Sequence, residues 1–362
     1  MQITEYKCPN CSGAVKFDSS IQRMKCPFCD TEFEIDALID YQKEIAEPEK
    51  DSFDLDTDKT AEAWDENDLG DLSTGCCPSC GAELIGDANT IATVCPCCGN
   101  TQIVRQRVAG LLKPEYVIPF HLEKKAAVAA LKEFYKGKRL LPNLFKEENR
   151  VNGIQGLYVP FWLFDANAKG HVVYKATKVK AWSDKNYHYT KTDHYSVTRE
   201  GGLGFEKIPV DGSEKMNDDY MDAIEPFDYG TMKDFLPTYL SGYIAEKYDV
   251  GIEDCKERAV ARIKNTVETQ FIKSVQGYAT VTKESSSVNV ENGKVSYALF
   301  PIWILNTKYQ KENFQFIMNG QSGRLVGKLP VDKGKAWKYR LMFMGGLGTI
   351  LTLVIQLLRI FF

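Results

Sequence analysis

Cys8-Pro9-Asn10-Cys11, then fourteen residues, then Cys26-Pro27-Phe28-Cys29: this run returns as Cys77-Pro78-Ser79-Cys80, fourteen residues, Cys95-Pro96-Cys97-Cys98. A C-x2-C pair puts two sulfurs on one tight turn, and two such turns close a tetrahedron around one metal ion. Proline fixes φ inside each knuckle, and Gly81 and Gly99 follow two of the knuckles, where the chain must turn sharply. The spacing predicts two four-cysteine zinc ribbons. Cys8, Cys11, Cys26 and Cys29 would hold one structural Zn2+, and Cys77, Cys80, Cys95 and Cys98 the other. Four thiolates leave no open coordination position, so the metal is expected to serve folding and not catalysis. Below about 40 residues apolar burial rarely suffices for folding, whereas zinc supplies on the order of 10–16 kcal/mol in finger peptides. Cys76, Cys97 and Cys255 remain and read as spare thiols, with ligand exchange at Cys76 or Cys97 as the alternative.

Disulfides are the competing use of such cysteines. The opening Met1-Gln2-Ile3-Thr4-Glu5-Tyr6 has neither the basic nor the apolar region of a secretory signal, which points to a reducing cytosol. The chain has 362 residues, 44% hydrophobic and 26% charged, enough for two or three domains with a sizeable core. Its net charge of −4 is unevenly spread. From Glu47 to Asp71 there are eleven acidic and two basic residues, so residues 37–75 are expected to form a flexible acidic linker, with apolar spots at Phe53, Leu55 and Trp64. Between 105 and 139 the balance reverses: Arg105, Arg107, Lys113, Lys124, Lys125, Lys132, Lys136, Lys138 and Arg139 face only three acids. That stretch could be a nucleic-acid face, although much of it falls on one expected helix, Glu123–Tyr135, whose outer lysines read as a solvated surface.

The remaining sequence reads as an α+β body over 109–330. Leu157–Phe164 is an apolar strand, followed by an antiparallel meander (His171–Ala176, Val179–Trp182, Tyr187–Thr190, His194–Val197), a break at Gly201-Gly202 and a strand ending near Val210. Met221–Tyr229 reads as irregular. Helical spacing predicts helices over Thr231–Tyr248 and Ile252–Ile272. Asn292-Gly293 predicts a two-residue hairpin turn. Pro160-Phe161-Trp162 and Pro301-Ile302-Trp303 look like one strand used twice, which suggests two related lobes. The expected order is ribbon (1–36), linker (37–75), ribbon (76–108), body (109–330), basic segment (331–340) and transmembrane helix (341–362). Each ribbon is expected to unfold alone when Cys8 or Cys77 becomes Ser.

Residues 341–362 are almost wholly apolar, with no charge before Arg359. A helix of that length spans about 33 Å, against about 30 Å of hydrocarbon. Lys333, Lys335, Lys338, Arg340, Trp337 and Tyr339 form the basic, aromatic flank of a cytosolic face. A single-pass cell-membrane protein with its N-terminal bulk in the cytoplasm is expected. Walker, GxSxG and HExxH motifs are missing, and His121, His171, His188 and His194 lack ligand spacing. No catalytic residue is therefore expected.

These motifs resemble a bacterial family of TFIIB-type zinc-ribbon membrane proteins. The resemblance lies in the CPxC ribbons, Tyr158–Trp162, Gly201-Gly202 with Phe205 and Pro209–Ser213, and Asn319-Gly320 with Gly323, Gly327 and Pro330. Family members are similar to membrane partners of phage-shock protein A and flotillin-like scaffolds in envelope-stress systems. The resemblance implies a non-enzymatic adaptor with a protein partner, held to the bilayer through 341–362. The alternative is a membrane-tethered nucleic-acid binder.

Overall fold

The structure, a computed structural model, describes residues 6–46, 51–56, 64, 72–87, 90, 94–106, 112–310 and 312–361. It is mixed α+β. The strands are β1 (Lys16–Asp18), β2 (Arg23–Lys25), β3 (Glu32–Phe33), β4 (Ser52–Asp56), β5 (Leu72–Cys76), β6 (Glu83–Asp87), β7 (Val104–Gln106), β8 (Tyr116–Val117), β9 (Gln155–Ser183), β10 (His188–Asp211), β11 (Lys233–Asp234), β12 (Ile244–Glu246), β13 (Thr280–Tyr309), β14 (Glu312–Asn319) and β15 (Leu325–Gly327). The longer helices are α1 (Ile35–Ala46), α2 (Lys124–Tyr135), α3 (Ile252–Ser274) and α4 (Lys333–Phe361).

Two compact units result, and neither is a linear segment. The first combines residues 1–56, 164–208 and 257–294. It holds the sheet β1-β2-β3, closed over Cys8, Val15, Cys26 and Leu38. β4 lies parallel to β13 at Asn289–Lys294, and Asp51 just before it bonds Lys264 at 2.5 Å and the Val288 amide at 2.8 Å. Of the expected linker (37–75), then, residues 37–46 belong to the helix Ile35–Ala46 and Ser52–Asp56 is strand, while most of the acidic run lies outside the described residues. Helix α1 also joins β13 through the Tyr41 hydroxyl, which donates to Glu284.

The expected meander is a single hairpin of two long strands, β9 and β10. Gly201 and Gly202 do not break it; they sit inside β10. Glycine serves helix approach here: a Cβ on Gly170 would lie 2.6 Å from Val267 Cγ1, because α3 packs directly on the strand. Nor does Asn292-Gly293 turn the chain, since β13 runs through it. Only Asn292 has positive φ (56°), and the register against β4 shifts between Val290 and Gly293, so the local feature is a bulge.

The second unit combines residues 57–163, 209–256 and 295–362. Its sheet runs in the order β11-β8-β13-β9-β12-β6-β5-β7. The expected helix over Thr231–Tyr248 is instead two 3-10 turns, Tyr229–Thr231 and Pro237–Leu240, alternating with β11 and β12. Pro237 limits one turn and Gly242 takes a left-handed conformation (φ 78°), while pairing to distant strands captures the rest. The stretch read as irregular, Met221–Tyr229, begins inside a short helix, Asp218–Ala223, capped by Asn217. Trp64, one of the apolar spots, meets Phe235 edge-on at 5.6 Å.

One strand–helix–hairpin motif, whose strand crossings lie in this unit, occurs twice. β12 runs parallel to β9 (Ile244 opposite Leu157), and β8 runs parallel to β13 (Tyr116 opposite Ala298). The Gly212 amide donates to the Pro160 carbonyl at 2.9 Å, and the Gly320 amide to the Pro301 carbonyl at 2.8 Å. Asp249 and Val250 donate back to Gly212, as His121 and Leu122 do to Gly320. The Trp162 indole donates to the Val250 carbonyl at 3.0 Å, and that of Trp303 to Leu122 at 3.1 Å. Each indole meets a ring edge-on at 5.2 Å, Tyr248 for Trp162 and Phe120 for Trp303. The repeats are β8-α2-β9-β10 and β12-α3-β13-β14, and each lends its first strand to the other's long strand.

Candidate metal centres

Each Cys-Pro-x-Cys knuckle folds by the same two backbone bonds. The amide four residues after the first cysteine returns to its carbonyl: Ser12 to Cys8, Asp30 to Cys26, Gly81 to Cys77, Gly99 to Cys95. The first cysteine's amide in turn donates to Gly13, Thr31, Ala82 or Asn100. The returning residue is left-handed in all four knuckles, with φ of 61°, 57°, 74° and 76°. Aligning the four knuckles reveals that shared position, which reading Gly81 and Gly99 alone does not.

The turns bring the sulfurs together as the spacing predicts. Cys8 and Cys29 lie 3.6 Å apart, Cys11 and Cys26 3.4 Å. In the second group Cys77 and Cys98 lie 3.6 Å apart, Cys80 and Cys95 3.7 Å. Within each group all four sulfurs are mutually within 4.8 Å. A tetrahedron with metal–sulfur bonds of about 2.3 Å has edges of about 3.8 Å, so the spacing suits a metal ion. It is far beyond a disulfide bond of about 2.05 Å, and every cysteine is a free thiol.

Local donors favour anionic sulfur. The Thr31 hydroxyl and amide hold Cys29 down at about 6, and the Cys97 thiol is first among the groups that hold Cys95 at about 5. Burial pushes Cys8 and Cys80 upward. Four close sulfurs resist shared ionisation because like charges repel, and a dication removes that penalty.

The two centres differ in what surrounds them. Cys8 and Cys26 belong to a small core of their own. Cys77, Cys95 and Cys97 belong to the main core of the second unit, beside Leu157, Phe161 and Phe300. The second ribbon is continuous with that sheet: β6 pairs with β12 (Ile244 opposite Gly86), and Asn306 donates to the Pro96 carbonyl. Its third knuckle residue, Cys97, is buried, and its thiol donates to Glu246 Oε1 at 3.6 Å. Burial raises the Glu246 carboxyl to about 8, and no hydrogen-bond partner reaches its Oε2. Phe28 occupies the same knuckle position in the first ribbon and is 74% exposed, against 7% for Cys97. Nothing in the sequence singles out Glu246, because its role comes from a contact 149 positions away.

The other leftover thiols join no metal group among the described residues. Cys255 is buried and donates to the Asp211 carbonyl at 3.6 Å; Cys76 is half-buried in β5. Helix α4 is long and apolar enough to cross a membrane, and all its side chains from Leu341 to Leu358 are exposed. Its base is fixed to the second unit. Asp332 caps the helix, and Lys335 donates to the Leu141 carbonyl and to Asn143 Oδ1, both at 2.7 Å.

The uncharacterized protein YdjG of Bacillus subtilis (strain 168) is 35% identical to this chain over 337 residues, covering 92% of this chain and 93% of its own. No family model and no solved structure matches.

Proposed function

The chain belongs to the family of the Bacillus subtilis protein YdjG, and within it we propose a membrane-anchored, cytosol-facing zinc-ribbon adaptor. Both cysteine groups hold zinc, with Cys8, Cys11, Cys26 and Cys29 as one ligand set and Cys77, Cys80, Cys95 and Cys98 as the other. All-thiolate, closed coordination suits a structural ion. Helix α4 is the anchor, and the basic Lys333, Lys335, Lys338 and Arg340 mark its cytosolic end. The likeness to TFIIB-type zinc-ribbon membrane proteins fits this arrangement and suggests an envelope-stress complex.

The observation that carries the adaptor reading is the contrast at one knuckle position. Ribbon two uses that position, Cys97, to dock on its own sheet. Ribbon one presents Phe28 there, with Phe17 and Ile21 also exposed. An exposed apolar knuckle on a rigid, metal-closed turn is a surface for another protein.

Purification of the full chain from nuclease-treated, detergent-solubilised membranes tests this reading. Wild type should carry about two zinc ions per chain and a protein partner that Phe28→Ser loses while keeping both ions. An unchanged set of companions in Phe28→Ser would refute the adaptor role. Protected nucleic acid without a protein partner would favour the alternative, a membrane-tethered nucleic-acid binder using the 105–139 stretch.

A further inference from the structure

The hairpin of β9 and β10 ends in an arm whose chemistry the metal centres do not use. Every residue from Lys178 to Thr192 is exposed. Three aromatics cluster at its end: Trp182 stacks on Tyr189 at 5.5 Å and 12°, and Tyr187 lies 6.2 Å from Tyr189. Trp182 is 52% exposed and Tyr187 65%. Such rings in water at a loop tip cost solvation without giving the fold any burial.

Charge is arranged around them. Lys178, Lys180, Lys185 and Lys191 share the stretch with a single acid, Asp184. That acid is spent inside the turn, where it accepts from the amides of Asn186 and Tyr187 at 2.8 Å each and from the Tyr189 hydroxyl at 2.9 Å. Lys191 pairs with Asp193 at 2.9 Å. Lys180 and Lys185 have no acidic partner among the described residues.

Two polyanions fit lysines with aromatics, and the placement separates them. A single-stranded nucleic acid needs open ring faces along a basic track. Here ring faces back along the arm are already engaged: the Lys178 ammonium lies 5.3 Å from the Tyr195 ring centre and 5.1 Å from that of Tyr278. The most exposed rings of the arm, Trp182 and Tyr187, are at the tip, with Lys185 in the turn beside them and Lys178 and Lys180 behind. Trp and Tyr at the end and Lys as a collar match the headgroup layer of an anionic bilayer, where ring bodies sit among glycerol groups and ammonium groups meet phosphates. We propose that the tip formed by Trp182, Tyr187 and Tyr189, with Lys178, Lys180 and Lys185, docks on an anionic phospholipid surface.

The test uses the full chain with Trp337→Phe, which removes the indole near the start of α4, in lipid vesicles containing dibrominated acyl chains. Bromine quenches indoles that reach the acyl boundary. The difference between this protein and the same protein carrying Trp182→Phe isolates the Trp182 emission. In one arm the brominated lipid is in the protein's own vesicle. In the other it is only in empty vesicles added afterwards, which reads the tip whether or not α4 spans a bilayer. Quenching of Trp182 by phosphatidylglycerol vesicles in either arm, and not by phosphatidylcholine alone, is expected. Replacing Lys178, Lys180 and Lys185 by Glu should weaken partitioning by on the order of 100-fold or more. Those side chains are exposed, so unchanged metal content checks that the variant is folded. Absence of Trp182 quenching in both arms overturns the proposal. So does quenching by oligothymidylate with none by vesicles, which would make the arm a nucleic-acid surface.

Discussion

At Ser12, Asp30, Gly81 and Gly99 one backbone conformation is met by three residue types. Left-handed φ costs an L-residue roughly 1–2 kcal/mol, part of which glycine gives back through unfolded-state entropy. Ser12→Gly should therefore stabilise ribbon one by about 0.5 kcal/mol, and Gly81→Ser should destabilise the second unit by about 1 kcal/mol. Midpoints of chemical denaturation of the metal-loaded protein measure both. Glu246 makes a pH-dependent prediction. Its carboxyl titrates at about 8 in the fold against 4.5 ordinarily. The native state thus binds more protons than the unfolded chain across that window. Stability must fall as pH rises through it, by at most about 1.4 kcal/mol per pH unit. Glu246→Gln should flatten the stability profile in the upper half of the window, where thiolate–metal bonds are retained. An unchanged slope in that variant would show that other groups set the pH dependence.

The two cysteine elements look alike in sequence, yet they differ in how they are held. Ribbon one has a private core of Cys8, Val15, Cys26 and Leu38, so Cys8→Ser with Cys11→Ser should melt it while the second unit keeps its near-UV circular dichroism. Ribbon two shares its core with Leu157, Phe161 and Phe300. Cys77→Ser with Cys80→Ser should then abolish the cooperative unfolding transition of the second unit, not just one knuckle. Limited proteolysis during chelation should likewise cut ribbon one first. These elements show where legibility stops. The knuckles and the apolar tail can be read because their chemistry is local: sulfur spacing and unbroken hydrophobicity. Phe235, Leu236, Tyr239, Leu240 and Tyr243 carry a helical period, but two short strands at 233–234 and 244–246 win through partners more than 80 positions away. Asn292-Gly293 carries a hairpin signal, and β4, some 240 positions earlier, overrides it.

At the scale of the molecule, the duplicated Pro-x-Trp strands were visible in sequence, but the exchange between the repeats was not, since pairing leaves no local mark. Equivalent indoles should carry equivalent weight. Trp162→Ala and Trp303→Ala should each cost about 3–5 kcal/mol, because each removes a fully enclosed ring and leaves a backbone carbonyl, Val250 or Leu122, without its donor. A large inequality between the two, measured by denaturant titration, would count against the twofold design. The exchange of first strands also sets a schedule for synthesis. β8 leaves the ribosome early, yet its partner at Ala298–Leu299 comes 182 positions later (116 to 298). Until then only the two-residue β11 offers the strand an edge, and the α2 face stays uncovered by Trp303 and Phe316. Non-local pairing of this kind is slow and leaves apolar surface exposed to aggregation. The sheet closes only as the chain nears its end, and the next long element to emerge is α4. Closure of the fold and delivery of the apolar tail therefore fall in the same brief interval, so a nascent chain stalled before residue 298 should be a client for chaperones, and one released after residue 330 should not.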